Sequence, residues 1–224
     1  MAREAKTVKV VFEQKGGIEG ELRLRTLSHV AGEKRTLTEH RENGCRFRVD
    51  VAKCYFSPRL ATERLRVAEE SDKNEKVLNM FAGVGPLSVE VAKVAGAKVT
   101  SWEVSGYSCG LHRENNKLNK VVDLVQVVEG DAASLAKSTR KRYDRVLMPH
   151  PSRADRFLPA AAKLARSGGV VHYYRHVLGG DEAEAKRNIS AEVEAMVPGS
   201  EYTVRRVREV GPRWMEMEAE VRVP

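Results

Sequence analysis

The sequence predicts an α/β protein, an open and largely parallel doubly wound sheet preceded by a small β-rich domain. Three observations predict it. The stretch from Val77 to Ser88 (VLNMFAGVGPLS) runs from a short apolar strand through Gly83-Val84-Gly85 into helical spacing. Such a turn brings backbone N–H groups close to a ligand. Downstream, short apolar runs alternate with helix-spaced segments, the pattern of a parallel sheet. Upstream, three short β-like stretches are separated by glycines, with a boundary near Ala52. The expected division is 1–52 for a front domain and 53–224 for the sheet domain.

The elements follow in order. Thr7 to Glu13 alternates apolar with polar and is closed by Lys15-Gly16-Gly17. Glu21 to Leu27 alternates again, with Arg23 and Arg25 on one face and Leu22 and Leu24 on the other. A third strand, Cys45 to Val51, follows Gly44. In Tyr55 to Ala68, Ser57 is the expected N-cap and Pro58 the first helical residue, where a missing N–H costs nothing. Leu60, Arg64 and Val67 recur on one side of that helix, and Glu63 lies one turn from Arg59.

After the glycine turn, Lys98 to Trp102 is a strand ending at Glu103, and Ser105 to Leu118 is helical. Leu124 to Val128 is a strand leading to Gly130-Asp131, and Tyr143 to Met148 one leading to Pro149-His150-Pro151. Ala154 to Ala165 is helical, and Gly168-Gly169 precedes a strand from Val170 to Tyr174. Glu182 to Met196 is helical, with strands at Tyr202 to Val207 and Trp214 to Val223 closing the chain. Right-handed crossovers then line up the C-terminal strand ends along one edge, where ligands bind.

Composition narrows the class. The 224 residues carry 39 Lys+Arg against 31 Asp+Glu, a formal charge of +8, which favours a polyanion such as nucleic acid as partner. Three cysteines (Cys45, Cys54, Cys109) without a C-x-x-C pair imply neither a disulfide framework nor a zinc site. No stretch is apolar enough to span a bilayer, so the expected setting is cytoplasmic, without membrane contact, as a monomer or weak dimer.

Three loops on the ligand edge suit a nucleoside. Gly83 and Gly85 let the backbone approach it, Glu103 is placed to accept from ribose hydroxyls, and Asp131 from an exocyclic adenine amine. Dinucleotide folds and S-adenosylmethionine methyltransferases share this set. Ser88 occupies the place of the third glycine in G-x-G-x-x-G. A pyrophosphate needs the close turn that this glycine permits, and a sulfonium nucleoside does not, so S-adenosyl-L-methionine is the preferred cofactor.

From Gly16 to Tyr174 the chain resembles the archaeal and eukaryotic tRNA guanosine-37 N1-methyltransferases and the related wybutosine-pathway aminocarboxypropyl transferases. The resemblance rests on Gly16 to Glu21, His40 to Gly44, Val49 to Lys53, Tyr55 to Leu60, Glu63-Arg64, Met80 to Pro86 and His172 to Tyr174. It implies a Rossmann-like, class I methyltransferase sheet of seven strands behind a small β-rich domain, and a tRNA substrate held near its anticodon. It further implies Glu63 as general base, and Ser57, Arg64, Phe81, Gly83, Gly85, Glu103, Asp131 and Pro149 around the methyl donor. Arg23 resembles the arginine that faces the guanine oxygen. The residue types suit the chemistry: guanine N1 carries a proton at neutral pH that a carboxylate must remove, and a cation near O6 stabilises the developing charge. No metal is required.

Three features depart from the family pattern. Pro149-His150-Pro151 stands where the family has Asn-Leu-Pro, which removes a side-chain amide from the donor or target base, and His150 is a candidate to replace its contact. Asn79 stands where an acidic residue is usual. The chain is also expected to lack the module that grips the tRNA elbow in longer members. Arg59 favours methyl over aminocarboxypropyl transfer within the resemblance, and a non-catalytic RNA-binding relative with a donor pocket is the third reading. Arg23, Arg25, Arg35, Arg41, Arg46, Arg48 and Arg153 are the expected RNA contacts.

Overall fold

The structure is a computed structural model that describes residues 8–20 and 23–224, so the expected strand positions Thr7, Glu21 and Leu22 lie outside the described residues. Two antiparallel hairpins come first, β1 (Val10–Glu19) with β2 (Leu24–Gly32), and β3 (Leu37–Glu42) with β4 (Cys45–Asp50). Strand β1 runs on through Lys15-Gly16-Gly17, where a stop was expected, and a register shift between Gln14 and Ile18 absorbs the glycines. Strand β3 is an addition to the expected set. Its sequence, LTEHRE, is mostly polar and never fully buried, so it carries no apolar alternation to read. It turns into β4 at Asn43 (φ 47) and Gly44 (φ 70), the left-handed pair that an Asn-Gly hairpin turn prefers.

The remaining strands are β5 (Lys76–Asn79), β6 (Lys98–Glu103), β7 (Val125–Glu129), β8 (Tyr143–Met148), β9 (Ala165–Leu178), β10 (Glu201–Gly211) and β11 (Trp214–Arg222). They form one seven-stranded sheet in the order β10-β11-β9-β8-β5-β6-β7. The pairs from β7 to β9 are parallel, while β11 inserts antiparallel between β9 and β10. The helices are α1 (Ala61–Glu69), α2 (Pro86–Ala95), α3 (Gly106–Leu118), α4 (Ala132–Ser138), α5 (Leu158–Leu164) and α6 (Glu182–Met196). Helix α4 was not expected, because at seven residues it is too short to show a period.

Each face of the sheet has its own core. Leu78, Met80 and Val146 pack with Leu158 of α5 and Ile189 of α6 on one side. Val77 and Val99 pack with Val67 of α1, Val89 of α2 and Leu111 of α3 on the other. Cys45, Phe47 and Val49 from β4 belong to this second cluster, so the β3–β4 hairpin and the sheet share a core. Two asparagines one turn apart, Asn115 on α3 and Asn119 just past its end, fasten the hairpin. Asn119 exchanges hydrogen bonds with the N–H (2.9 Å) and C=O (2.7 Å) of Arg46, and Asn115 does the same with Arg48 (2.7 and 3.2 Å). The amides thus satisfy a strand edge that would otherwise be buried unpaired.

The Ser57-Pro58 start of α1 differs from expectation. Residues Pro58–Leu60 form a single 3-10 turn and α1 begins at Ala61, with no side-chain cap from Ser57. The helix is held instead by Arg64, whose Nε and Nη2 donate to the two oxygens of Glu42 on β3 (2.7 Å each). Glu90 of α2 lies 3.4 Å from the same guanidinium and accepts from Asn43 Nδ2 at 2.7 Å. All three charged side chains are buried.

Burial pushes the Glu90 carboxyl up to about 8, so at neutral pH Glu90 sits in the cluster mainly as the neutral acid. A carboxyl raised in the fold contributes stability that is complete below its unfolded value of 4.5 and lost as pH rises through 8. Glu90→Gln keeps the shape, with its amide donating where the acid proton did, and cannot ionise. Urea unfolding should show the variant gaining on the parent by about 2–5 kcal/mol between pH 4.5 and 8.5. Identical pH dependence of the two proteins would remove the buried acid from this account.

Candidate functional site

A cleft of about 410 Å³ opens where β5, β6, β7 and β8 end. Of the residues singled out in the sequence it is lined by Arg23, Ser57, Glu63, Arg64, Phe81, Gly83, Glu103, Asp131 and Pro149. The placement follows from topology, since each parallel strand delivers the residues after its last ladder bond to the same edge.

Glu103 ends β6, and its carboxylate is fixed by two backbone donors, Gly83 N–H and Ser105 N–H, both at 2.8 Å. Burial raises its carboxyl above the ordinary value against those hydrogen bonds. Asp131 caps α4, with Oδ1 accepting from the N–H (2.9 Å) and hydroxyl (3.0 Å) of Ser134. Gly83 (φ 56) faces open space: an added Cβ would meet only the Tyr55 carbonyl, at 3.9 Å. Phe81 stands edge-on to His150 (5.3 Å) and Phe157 (5.0 Å) and walls the apolar side. The resident groups therefore suit a nucleoside, with a flat apolar wall, an open glycine and two carboxylates at separate strand ends.

Gly85 does not line the cleft. It is left-handed (φ 87) at the start of α2, and a Cβ there would lie 2.1 Å from the ring of His112 on α3. Its missing side chain serves helix packing. Ser88, in the place of a third glycine, is buried and accepts hydrogen bonds from Asn79 Nδ2 (3.0 Å) and Ser101 Oγ (2.8 Å). Asn79 Oδ1 in turn accepts from Phe81 N–H at 3.2 Å, so the amide in place of an acidic residue shapes the turn from within.

Glu63 faces the cleft with its side chain 14% exposed. Its partner is Arg66, through Nη2 to Oε1 at 2.5 Å and Nε to Oε2 at 3.0 Å, and the Tyr174 hydroxyl donates to Oε1 at 2.6 Å. Arg59, the expected partner, is exposed and outside the cleft lining. Arg66 and Arg205 both reach Glu218, at 3.4 and 2.9 Å, and Glu218 accepts from His172 Nδ1 at 2.7 Å. Arg145 donates to His172 Nε2 at 2.5 Å, which leaves the imidazole proton on Nδ1. Glu70, His172 and Glu220 have metal-like spacing, but both nitrogens of His172 are already engaged.

Arg23 lies over the Tyr55 ring at 4.5 Å, and Arg25 over the same ring at 5.8 Å. The Ser57 hydroxyl is 3.4 Å from Arg208 Nη1, and its carbonyl accepts from Arg64 at 3.2 Å. Arg64 borders the cleft, but its polar contacts go to Glu42, Glu90 and Ser57.

Glu216, paired with Arg208 at 2.6 Å, is a cleft residue that motif reading missed. Its strand reads WMEMEAEVR, and that alternation marks a polar face without saying which arginines meet it. Tyr174 and His150 fell within the quoted segments, whereas Phe157 carried no signal beyond helical spacing.

A model of the TRM5/TYW2 methyltransferase domain matches residues 38–202. The chain is 46% identical over 169 residues to the tRNA (guanine(37)-N(1))-methyltransferase Trm5b of Pyrococcus abyssi, a match covering 75% of this chain and 49% of that protein. The chain spans about half the length of the curated relatives it matches first. Among solved structures, aTrm5 in complex with tRNALeu superposes with a TM-score of 0.88 at 34% identity, covering 100% of this chain and 63% of that one. M. jannaschii TYW2 in complex with AdoMet gives 0.74 at 28%, covering 88% and 91%.

The two turn glycines separate by experiment. Gly83→Ala should cost only the left-handed backbone penalty of about 1–2 kcal/mol. Gly85→Ala should add overpacking of about 1–3 kcal/mol against His112, partly relieved by a second substitution, His112→Ala. Chemical denaturation measures both, and equal costs at the two positions would refute the packing role of Gly85.

Proposed function

The chain belongs to the TRM5/TYW2 methyltransferase family, and from that premise we propose that it methylates N1 of guanosine 37 in tRNA with S-adenosyl-L-methionine as donor. The observation that carries this reading is Glu63, a carboxylate held at the mouth of a nucleoside-shaped cleft by Tyr174 and Arg66. When bound, the donor supplies an activated methyl group on its sulfonium. In this reading Glu103, Asp131, Phe81 and Gly83 hold the nucleoside end, and Ser57, Arg64 and Pro149 border the remainder.

Guanine N1 must lose its proton as it becomes the nucleophile. Glu63 takes that proton, its orientation fixed from two sides so that a lone pair faces the cleft. Arg23, carried over the cleft on the Tyr55 ring, faces the O6 side and stabilises the negative charge that grows there. The apolar wall of Phe81 and Phe157 limits water at the reacting atoms. The contact proposed for His150 in place of the family amide has geometric support, because its ring lies against Phe81 in the lining.

Incubation with methyl-labelled donor and unmodified tRNA, followed by nucleoside mass spectrometry, should yield 1-methylguanosine. Label transferred only from the carboxyl end of the donor, to tRNA that already carries the tricyclic wybutosine precursor, would instead mean aminocarboxypropyl transfer, and no methylated nucleoside from several unmodified tRNAs would reject methyl transfer. Glu63→Ala should bind the donor as the parent does and lose about 10²–10⁴-fold in single-turnover rate. An unchanged rate would return Glu63 to a purely structural pairing with Arg66.

A further inference from the structure

The opposite edge of the sheet carries a second depression that methyl transfer does not use. It measures about 600 Å³ and lies where β5, β6 and β7 begin, closed on one side by the loop entering β8. Lys76, Lys98, Lys141 and Arg142 line it, all four exposed, against one lining carboxylate, Asp123.

Nearby acids are already committed. Glu75 pairs with Arg145 at 3.0 Å, and Asp144 with Arg166 at 2.8 Å and with the Lys76 backbone N–H at 2.6 Å. Among the described residues, Arg142 Nη1 turns only to the carbonyls of Arg140 and Lys141 in its own loop. The front arginines contrast with this: Arg35, Arg46 and Arg48 each face a glutamate, at 2.5, 2.7 and 2.8 Å. Among the described residues none of the four lining cations has an ion pair, and Lys137 and Arg140, both exposed, lie next to them in sequence.

Charge of this kind, mostly lysine, suits phosphates as point charges. The one aromatic residue in the lining, Tyr143, is buried, so no exposed ring is offered for base stacking. We propose that this groove grips the phosphodiester backbone of an RNA, without regard to sequence, at a second place about 20 Å from the reacting nucleotide, the length of the six-residue strands between the two edges. The proposal rests on the reading that the substrate is a folded RNA, large enough to touch both edges.

Binding of a full-length, unmodified tRNA transcript between 50 and 200 mM salt tests it, comparing the parent with a Lys98→Gln/Lys141→Gln/Arg142→Gln variant. The variant should bind at least tenfold more weakly at the low-salt end. Its log–log salt slope should be shallower by about 2, as expected for three lost phosphate contacts. Donor affinity by calorimetry should be unchanged. Equal affinity and slope for the two proteins would overturn the proposal.

The parent protein supplies an independent check, since tRNA should shield Lys98 and Lys141 from acetylation. Absent shielding would overturn the proposal, and equal shielding by poly-L-glutamate at matched charge would overturn RNA in favour of an acidic protein. Neither readout requires turnover. A protein that binds tRNA here and methylates nothing would refute the proposed reaction alone.

Discussion

The arrangement of the cleft depends on one buried ion pair. Arg64 of α1 reaches back to Glu42 with both arms of its guanidinium and touches Glu90 of α2 beside it. Three separately encoded pieces therefore share one point: the second hairpin, the helix after the Tyr-Phe-Ser-Pro-Arg-Leu stretch, and the helix after the glycine turn. Two charges removed from water gain little net stability, but their geometry is exacting, and a wrong register would strand one of them. The extra carboxyl is tolerated because burial leaves it protonated. Consecutive helix residues point about 100° apart. Fixing Arg64 inward accordingly turns Glu63 toward the cleft.

Glu63 is then held from its other side. Tyr174 of β9 and Arg66 of its own helix take its two oxygens, and the network continues through Glu218 and His172 to Arg145 on β8. These side chains stand on neighbouring strands whose other face packs against α5 and α6. The orientation of one carboxylate is thus tied to the rigid middle of the sheet, and the rotamer freedom of a glutamate is spent before any substrate arrives.

The sheet also divides the molecule's electrostatics. At its C-terminal edge, acids and bases are paired and oriented around a cleft with an apolar wall. At its N-terminal edge, lysines and an arginine stand without carboxylate partners among the described residues, around an open groove. The formal charge of +8 indicates a polyanion partner but says nothing of where it lands. Arg46 and Arg48 of the second hairpin pair with glutamates, whereas a basic run between α4 and β8, part of no motif, keeps its charge exposed.

By itself the sequence determined the parallel sheet, the edge at which a ligand sits, and most of the side chains around it. Those features are local, because strand ends, glycine turns and the first residue of a loop are written in consecutive positions. Glu103 and Asp131 could be found for that reason, and Glu63 through the family resemblance of the stretch around it. Only the tertiary structure decided what each group does with its hydrogen bonds. Ser57 caps nothing, Gly85 makes room for His112, Arg64 spends its donors on Glu42, and Glu63 answers to Tyr174 rather than Arg59. Each of these depends on partners 20 to 150 residues distant, or on which face of a strand is covered. A two-residue period marks a polar face in β11 but cannot say that arginines from β10 and α1 bury it, which is why Glu216 and Glu218 emerged only from the packing.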